Sequence, residues 1–212
     1  MGFLTDGDVN KRVRNLFVAF QNAAPPPPPP SGNAFQLRTA APDMTFLANY
    51  VAAFPAATPI GGTWSAAQTG ANGALSSGNA VVAFSSVSSS EGTVSSDAAV
   101  NAPCWEIEVL NELGAVDYGV GVFIDFIFPY DKEAFLGGGG GGASYKRNGS
   151  IADFVGSPGG PALAIGDVVG VVCTNPNVNP AAHFFINGVP VATGFLLNSG
   201  STIVFPMASS QA

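Results

Sequence analysis

Side chains that could support catalysis are few in this chain. His183 is its only histidine, and no G-x-S-x-G nucleophile motif accompanies it. Asp125, Asp131 and Glu133 lie close together in sequence, but a glycosidase needs two carboxylates facing each other across a cleft, which this spacing does not indicate. The same carboxylates could bind calcium, although solvated loop charges are the simpler interpretation. We therefore expect no enzymatic activity, no cofactor and no metal site.

The two cysteines and the run of six glycines are also interpreted as structural rather than catalytic. Cys104 and Cys173 lie in apolar segments typical of strands and lack metal-ligand spacing, so we favour buried free thiols over a disulfide, which the sequence leaves open. Residues 137–142 are six consecutive glycines that satisfy a GxGxxG pattern by composition alone. A nucleotide-binding loop must open a helix, and none is indicated here, so we predict a flexible loop.

The composition favours an all-β protein with an acidic body. The 212 residues include 27 glycines and 17 prolines, 47% are hydrophobic, and only 10% are charged. No long segment of helical period follows the first 22 residues, which favours strands and turns. The net charge is −7, and four of the seven basic residues lie within the first 38 positions, which argues against a nucleic-acid partner. We expect neither a signal peptide nor a membrane span.

The N-terminal arm, residues 1–24, is predicted to contain a helix over residues 8–22. Six prolines follow at 25–30, within a linker over 25–33, and these six residues should extend about 20 Å at about 3.1 Å per residue. This spacer favours an anchor that binds capsid or tail proteins, or sister chains, over packing against its own domain. Recognition of the prolines by a proline-binding domain is a third hypothesis. The apolar face of the arm consists of Val9, Val13, Leu16, Phe17 and Phe20.

Residues 34–212 are predicted to form one β-domain. Turn clusters separate the candidate strands, and Asn187-Gly188 indicates a tight hairpin. Residues 42–54 suit a short helix or another strand, and the role of residues 40–72, as part of the sandwich or as a cap, stays open. In the strand around Trp105, we expect Glu106 and Glu108 on the face opposite the core. The candidate strands are 34–39, 73–77, 80–85, 92–96, 105–111, 117–126, 168–173, 183–186 and 203–205.

A series of motifs along the chain resembles those of one known domain family. The best of them is AIGDVVGVVC (164–173), which is similar to the Gly-Asp-hydrophobic-hydrophobic-Gly signature of the SPRY domain family. HFFINGVPVATGF (183–195) resembles its Phe-Phe-x-x-Asn-Gly hairpin, one residue shorter than in some members. The order of motifs holds over residues 74–209. The remaining similar segments are CWEIEVLN (104–111), GVGVFIDF (119–126), ASYKRNGS (143–150) and IVFPMAS (203–209).

The resemblance implies a two-sheet antiparallel β-sandwich, a SPRY or concanavalin-like jelly roll, that recognises partners through its loops. We expect a virion display protein, a capsid-decoration, head-fibre or tail component of a bacteriophage, present in the host cytoplasm during assembly. Its sandwich would bind a host-surface protein or glycan, without nucleic acid or membrane. An intracellular SPRY-type adaptor and a glycan-active enzyme are the alternatives. The loop residues expected to bind are Tyr130, Asp131, Lys132, Tyr145, Lys146 and Arg147.

Overall fold

The computed structural model describes residues 31–85, 91–95, 102–114, 116–124, 142–152, 160–174, 181–196 and 204–211. Thirteen strands are found in these ranges. They are β1 (Asn33–Arg38), β2 (Thr58–Pro59), β3 (Gly73–Ser76), β4 (Val81–Phe84), β5 (Glu91–Val94), β6 (Pro103–Asn111), β7 (Asp117–Ile124), β8 (Gly142–Lys146), β9 (Ile151–Ala152), β10 (Val168–Thr174), β11 (Ala181–Ile186), β12 (Val189–Leu196) and β13 (Val204–Gln211).

The strands form two sheets. The larger sheet has the order β12-β11-β10-β6-β1-β4-β3, with β2 paired to β6 as well, and the smaller has the order β5-β13-β7-β8-β9. Every pairing is antiparallel except the short parallel one between β2 and β6. The expected fold class, an all-β two-sheet sandwich, is therefore confirmed. All nine candidate strands are present, with bounds that differ at the ends.

The core lies between the two sheets, where alternate residues of each strand point inward. On β6, Trp105, Ile107 and Val109 are all fully buried, as the two-residue period predicts. From the smaller sheet, Val120 and Val122 face them in the same cluster. The inner face of each strand is thus apolar, which fixes the register of the pairing.

A cap over residues 40–57 covers the outer face of the larger sheet. It contains a 3₁₀ turn (Ala41–Asp43) and one α-helix, α1 (Leu47–Ala53). Both β1 and β2 pair with β6, so the cap leaves the sheet after Arg38 and returns to the same strand at Thr58. The residues 42–54, which suited a helix or a strand, therefore contain a helix that lies outside the sandwich.

Two turns have the positive φ angles that glycine adopts without strain. Asn187 and Gly188 both have positive φ, 50° and 76°, which is the backbone of the tight hairpin predicted between β11 and β12. Gly166, at φ 90°, turns the chain before β10, where Asp167 accepts a hydrogen bond from the Ala164 amide. Within the described residues, no helix is long and apolar enough to cross a membrane.

Candidate functional site

The expected loop patch is only partly described. Tyr130, Asp131 and Lys132 lie outside the described residues, as do the arm residues Val9, Val13, Leu16, Phe17 and Phe20. Tyr145 and Lys146 belong to β8, and Arg147 follows that strand directly. Tyr145 and Lys146 were expected in a loop beside the glycine run, and this placement is wrong because successive residues of β8 pair with β7. Arg147 lies in the turn after the strand, where a loop was expected.

Tyr145 presents no surface for a partner. Its ring is fully buried in the core and packs against Phe184, and its hydroxyl donates to the carbonyl of Pro161 at 2.7 Å. Burial raises the pKa of Tyr145 to about 12, with the negative charge of Asp167 adding to the shift. The aromatic ring that composition suggested for contact therefore stabilises the sandwich.

The two basic residues are paired with carboxylates of the same domain. Lys146 Nζ lies 3.8 Å from Asp117 Oδ2, and Arg147 Nη2 lies 3.5 Å from Glu112 Oε2. Arg147 also donates to the carbonyl of Gly114. A partner would have to compete with these contacts, so the segment offers less free positive charge than the sequence suggests.

The described side chains that could support catalysis, His183 and the two cysteines, are buried, and Asp125, Asp131 and Glu133 lie outside the described residues. His183 is nearly buried on β11, where its Nε2 lies 3.0 Å from the Thr174 hydroxyl and its ring packs against Phe54. Burial lowers its pKa. Cys104 and Cys173 are free and buried, and they point to opposite faces of neighbouring strands. Burial raises the pKa of the Cys104 thiol to about 12, which disfavours the thiolate nucleophile.

A buried carboxylate holds the cap on the sheet. Glu106, on the outer face of β6, has no solvent exposure. Its Oε2 accepts from the Thr45 amide at 2.8 Å, and its Oε1 accepts from the Phe46 amide at 2.6 Å and the Tyr50 hydroxyl at 3.1 Å. Three donors converging on two oxygens suit an ionised carboxylate. Glu106 was expected on the face away from the core, and it is, but that face is covered by the cap rather than open to solvent.

Tyr50, on the helix of the cap, contacts the larger sheet beside Glu106. Burial, followed by the neighbouring Glu106 charge, raises the pKa of Tyr50 far above its ordinary value. Its ring packs on Phe185 at 4.9 Å between centroids. Gly170, opposite Glu106 in the ladder, leaves room for the hydroxyl, because a Cβ there would overlap Tyr50 Oη. The cap therefore fits the sheet only where a glycine is present.

A polar cleft opens beside the cap. Its volume is about 470 Å³, within the range of roughly 300–1,000 Å³ that is usual for ligand sites. It is lined by residues of β1, of the 3₁₀ turn of the cap and of the segment before Trp64. Its lining residues are Gln36, Leu37, Arg38, Thr39, Asp43, Gly62, Thr63 and Ala80.

Arg38 connects the cleft to the cap. Its guanidinium pairs with Glu108, lies 3.9 Å from Glu106, and donates to the Thr45 hydroxyl at 2.6 Å. Asp43 also lines the cleft, is exposed, and takes part in none of the ion pairs between described residues. The shape of the cleft thus depends on the same contacts that fasten the cap.

The residues that line this cleft form no local pattern that would predict it. A glutamate alternating with apolar residues is typical of a half-exposed strand, so Glu106 and Glu108 looked equivalent. They differ because a segment about 60 positions earlier covers only one of them. Among the described residues, no group of three or more His, Cys, Asp and Glu side chains is placed to hold a metal ion.

Comparison with known proteins gives a likeness in structure. No family model matches the sequence, and no curated protein matches it. A crystal structure of the SPRY domain of human HERC1 aligns with a TM-score of 0.54 and 14% identity, over 69% of this chain and 88% of that domain. The sandwich is SPRY-like. At this identity the likeness shows the fold of the SPRY-like sandwich alone, in agreement with the motif series.

Proposed function

We propose that this chain is a non-enzymatic display protein of a virus particle, whose SPRY-like sandwich recognises a partner protein or glycan. The observation that carries the proposal is the sandwich itself, a rigid scaffold whose described ionisable side chains are mostly engaged in packing and pairing. Rigid scaffolds with peripheral recognition surfaces are typical of binding domains. The virion assignment rests on the sequence, which joins an amphipathic arm to the sandwich through six prolines.

In this proposal the arm is the anchor. Its five apolar residues bind a capsid or tail protein, or a sister chain, and the prolines hold the sandwich away from that attachment. The arm must bury its apolar face against another surface, because a helix of about 15 residues is only marginally stable alone in water. Packing of the arm on its own domain is the competing arrangement.

Two measurements test the proposal. If the arm binds sister chains, light scattering should give a defined oligomer for the full chain and a monomer for a version beginning at Ser31. Two monomers would exclude self-association. Rapid proteolysis near Phe17 and Phe20 would then favour binding of the arm to a different protein over packing on its own domain. Immunogold labelling of particles purified from the producing culture should place the chain on their surface. Absence from every particle would overturn the virion assignment and favour the adaptor.

A further inference from the structure

We propose that the cap opens as one unit while the sandwich stays folded, and that its opening uncovers an apolar surface and the Cys104 thiol on the larger sheet. In the closed form, which is the structure described above, the carboxylate of Glu106 holds the cap in place. The proposal concerns a conformational change built into the fold. It goes beyond the display function and does not depend on the arm or on a particle.

The cap is joined to the sheet through side chains rather than through a backbone ladder. The backbone-to-backbone hydrogen bonds that residues 41–57 make with described residues all stay within the cap. Its hydrogen bonds to the sheet involve the carboxylate of Glu106, the guanidinium of Arg38 and the side-chain amide of Asn49, which donates to the Gly188 carbonyl. The cap can therefore leave the sheet without breaking any ladder hydrogen bond between strands.

Glu106 also holds the start of helix α1. Phe46, the residue before the helix, makes no side-chain capping hydrogen bond. The amides of Thr45 and Phe46 donate to Glu106 instead. A helix of seven residues is too short to be stable alone in water, so α1 should lose its helical form when it leaves the carboxylate. Docking and helix formation are thus coupled, which makes the cap a single cooperative unit.

The surface beneath the cap belongs to the outer face of β6, β10 and β11. Cys104, Val172 and Phe185 of these strands are buried there in one cluster with Met44 and Tyr50 of the cap. This cluster is separate from the core between the two sheets. Opening the cap therefore exposes the three sheet residues and leaves the core of the sandwich intact.

The two cysteines report on the two layers separately. Both are free and buried, but Cys104 belongs to the cluster beneath the cap, whereas Cys173 belongs to the core between the sheets. A buried thiol reacts only after an opening that lets the reagent reach it. We therefore expect Cys104 to react when the cap opens, and Cys173 to react only when the sandwich unfolds.

The test is labelling of the full, folded chain with N-ethylmaleimide, a thiol reagent. Tryptic digestion then places Cys104 in the peptide 39–132 and Cys173 in the peptide 148–212, so mass spectrometry follows each thiol by itself. We expect Cys104 to be labelled at least about tenfold faster than Cys173. Low concentrations of urea should accelerate the labelling of Cys173 more steeply, because unfolding of the sandwich exposes more surface than opening of the cap.

Glu106→Gln tests the contact that holds the closed form, with Glu108→Gln as its matched control. Glu106→Gln should speed the labelling of Cys104 about thirtyfold or more, because it leaves a cap donor facing an amide nitrogen. The carboxylate of Glu108 pairs with Arg38 and is partly exposed, so Glu108→Gln should change the labelling of Cys104 less than about fivefold.

Val122→Ala tests whether the cap opens on its own. Val122 is fully buried in the core between the sheets, on β7 of the smaller sheet. Removing its methyl groups weakens the sandwich against global unfolding and leaves the contacts of the cap unchanged. The labelling of Cys173 should therefore rise about tenfold, while that of Cys104 stays the same.

Three results would overturn the proposal. Equal acceleration of both thiols in Val122→Ala would show that the cap opens only when the whole domain unfolds. Equal effects of Glu106→Gln and Glu108→Gln on Cys104 would show that the buried carboxylate does not hold the closed form. Equal labelling rates and urea dependences of the two thiols in the unmodified chain, a measurement that needs no variant, would show that no separate opening exists. Each of these results would leave the display function standing.

Discussion

Replacing Glu106 by glutamine keeps the shape of the side chain and removes its charge. One oxygen becomes an amide nitrogen that faces an N–H or O–H donor, because both carboxylate oxygens accept from the cap. We expect Glu106→Gln to lower the free energy of unfolding by about 2–4 kcal/mol. Urea denaturation measures this loss.

Glu108→Gln is the control for that variant. Glu108 pairs with the same arginine and lies on the same strand, but its side chain is 21% exposed, so its loss should cost less than about 1 kcal/mol. Equal losses of unfolding free energy for Glu106→Gln and Glu108→Gln would contradict the expectation, because they would show that the hydrogen bonds from the cap add nothing to the contribution of Glu106.

Gly170→Ala tests the fit between cap and sheet at a single atom. The added methyl group would overlap the Tyr50 ring and hydroxyl, so the cap must shift or the strand must bend. We expect a loss of about 1–3 kcal/mol together with faster proteolysis in α1. Gly78→Ala is the reference, because a Cβ at Gly78 meets no atom and the cost comes only from its φ of 66°. Slow cleavage of α1 in Gly170→Ala would contradict the expectation.

The domain should lose stability in acid through His183 of β11, whose ring packs against Phe54 of the cap. Burial holds the pKa of His183 below its ordinary 6.5, so the neutral ring is the form that the folded protein accepts. The unfolded chain therefore binds more protons as the pH falls below about 6.5, and stability falls with it. Above that pH the effect is absent, because His183 is neutral in both states.

The measurement is the free energy of unfolding in urea at several pH values, from about 7.5 down through the range below about 6.5 in which stability should fall. His183→Gln removes the titrating group and can keep a hydrogen bond to the Thr174 hydroxyl. Its stability should change less with pH than that of the unmodified chain. Identical slopes in the two proteins would assign the acid sensitivity to other groups.

The elements that could be predicted from the sequence are those with a strong local pattern. Alternation of apolar residues indicated β6, and Asn187-Gly188 indicated the hairpin. Each of these patterns is complete within a few neighbouring residues, so it can be recognised without knowing the rest of the fold. β8 was missed because serine, tyrosine, lysine and arginine beside a glycine run look like a contact loop. Its strand character comes from pairing with β7, and Tyr145 is buried only through that pairing.

The candidate site was less predictable than the fold for the same reason. The cleft is assembled from β1, the cap and the segment around Gly62, and Arg38, which lines it, pairs with Glu106 and Glu108 of β6. No spacing rule connects residues so far apart in sequence. Gly170 is the one local hint, since a glycine inside an apolar strand indicates close approach by another group.

At the scale of the whole molecule, β13 is the strand on which the smaller sheet depends. It lies between β5 and β7, and β5 has no other partner strand among those described. Ending the chain before Val204 should therefore prevent folding, seen as loss of the cooperative thermal transition. Removing Ala212 alone should leave the midpoint unchanged. A cooperative transition in the shorter chain would show that the larger sheet folds without β13.

The position of β13 also sets an order of events during synthesis. Asn33, at the start of β1, donates a hydrogen bond to Ser210 at 2.9 Å, across 177 positions. The ribosome makes the first partner of this contact long before the second, and among the described strands of the smaller sheet β13, which joins β5 to β7, is made last. Until then, the smaller sheet lacks the strand that joins β5 to β7, so the layer opposite the larger sheet is incomplete. The nascent chain therefore carries exposed apolar surface through most of its translation, which is the condition under which chaperones bind.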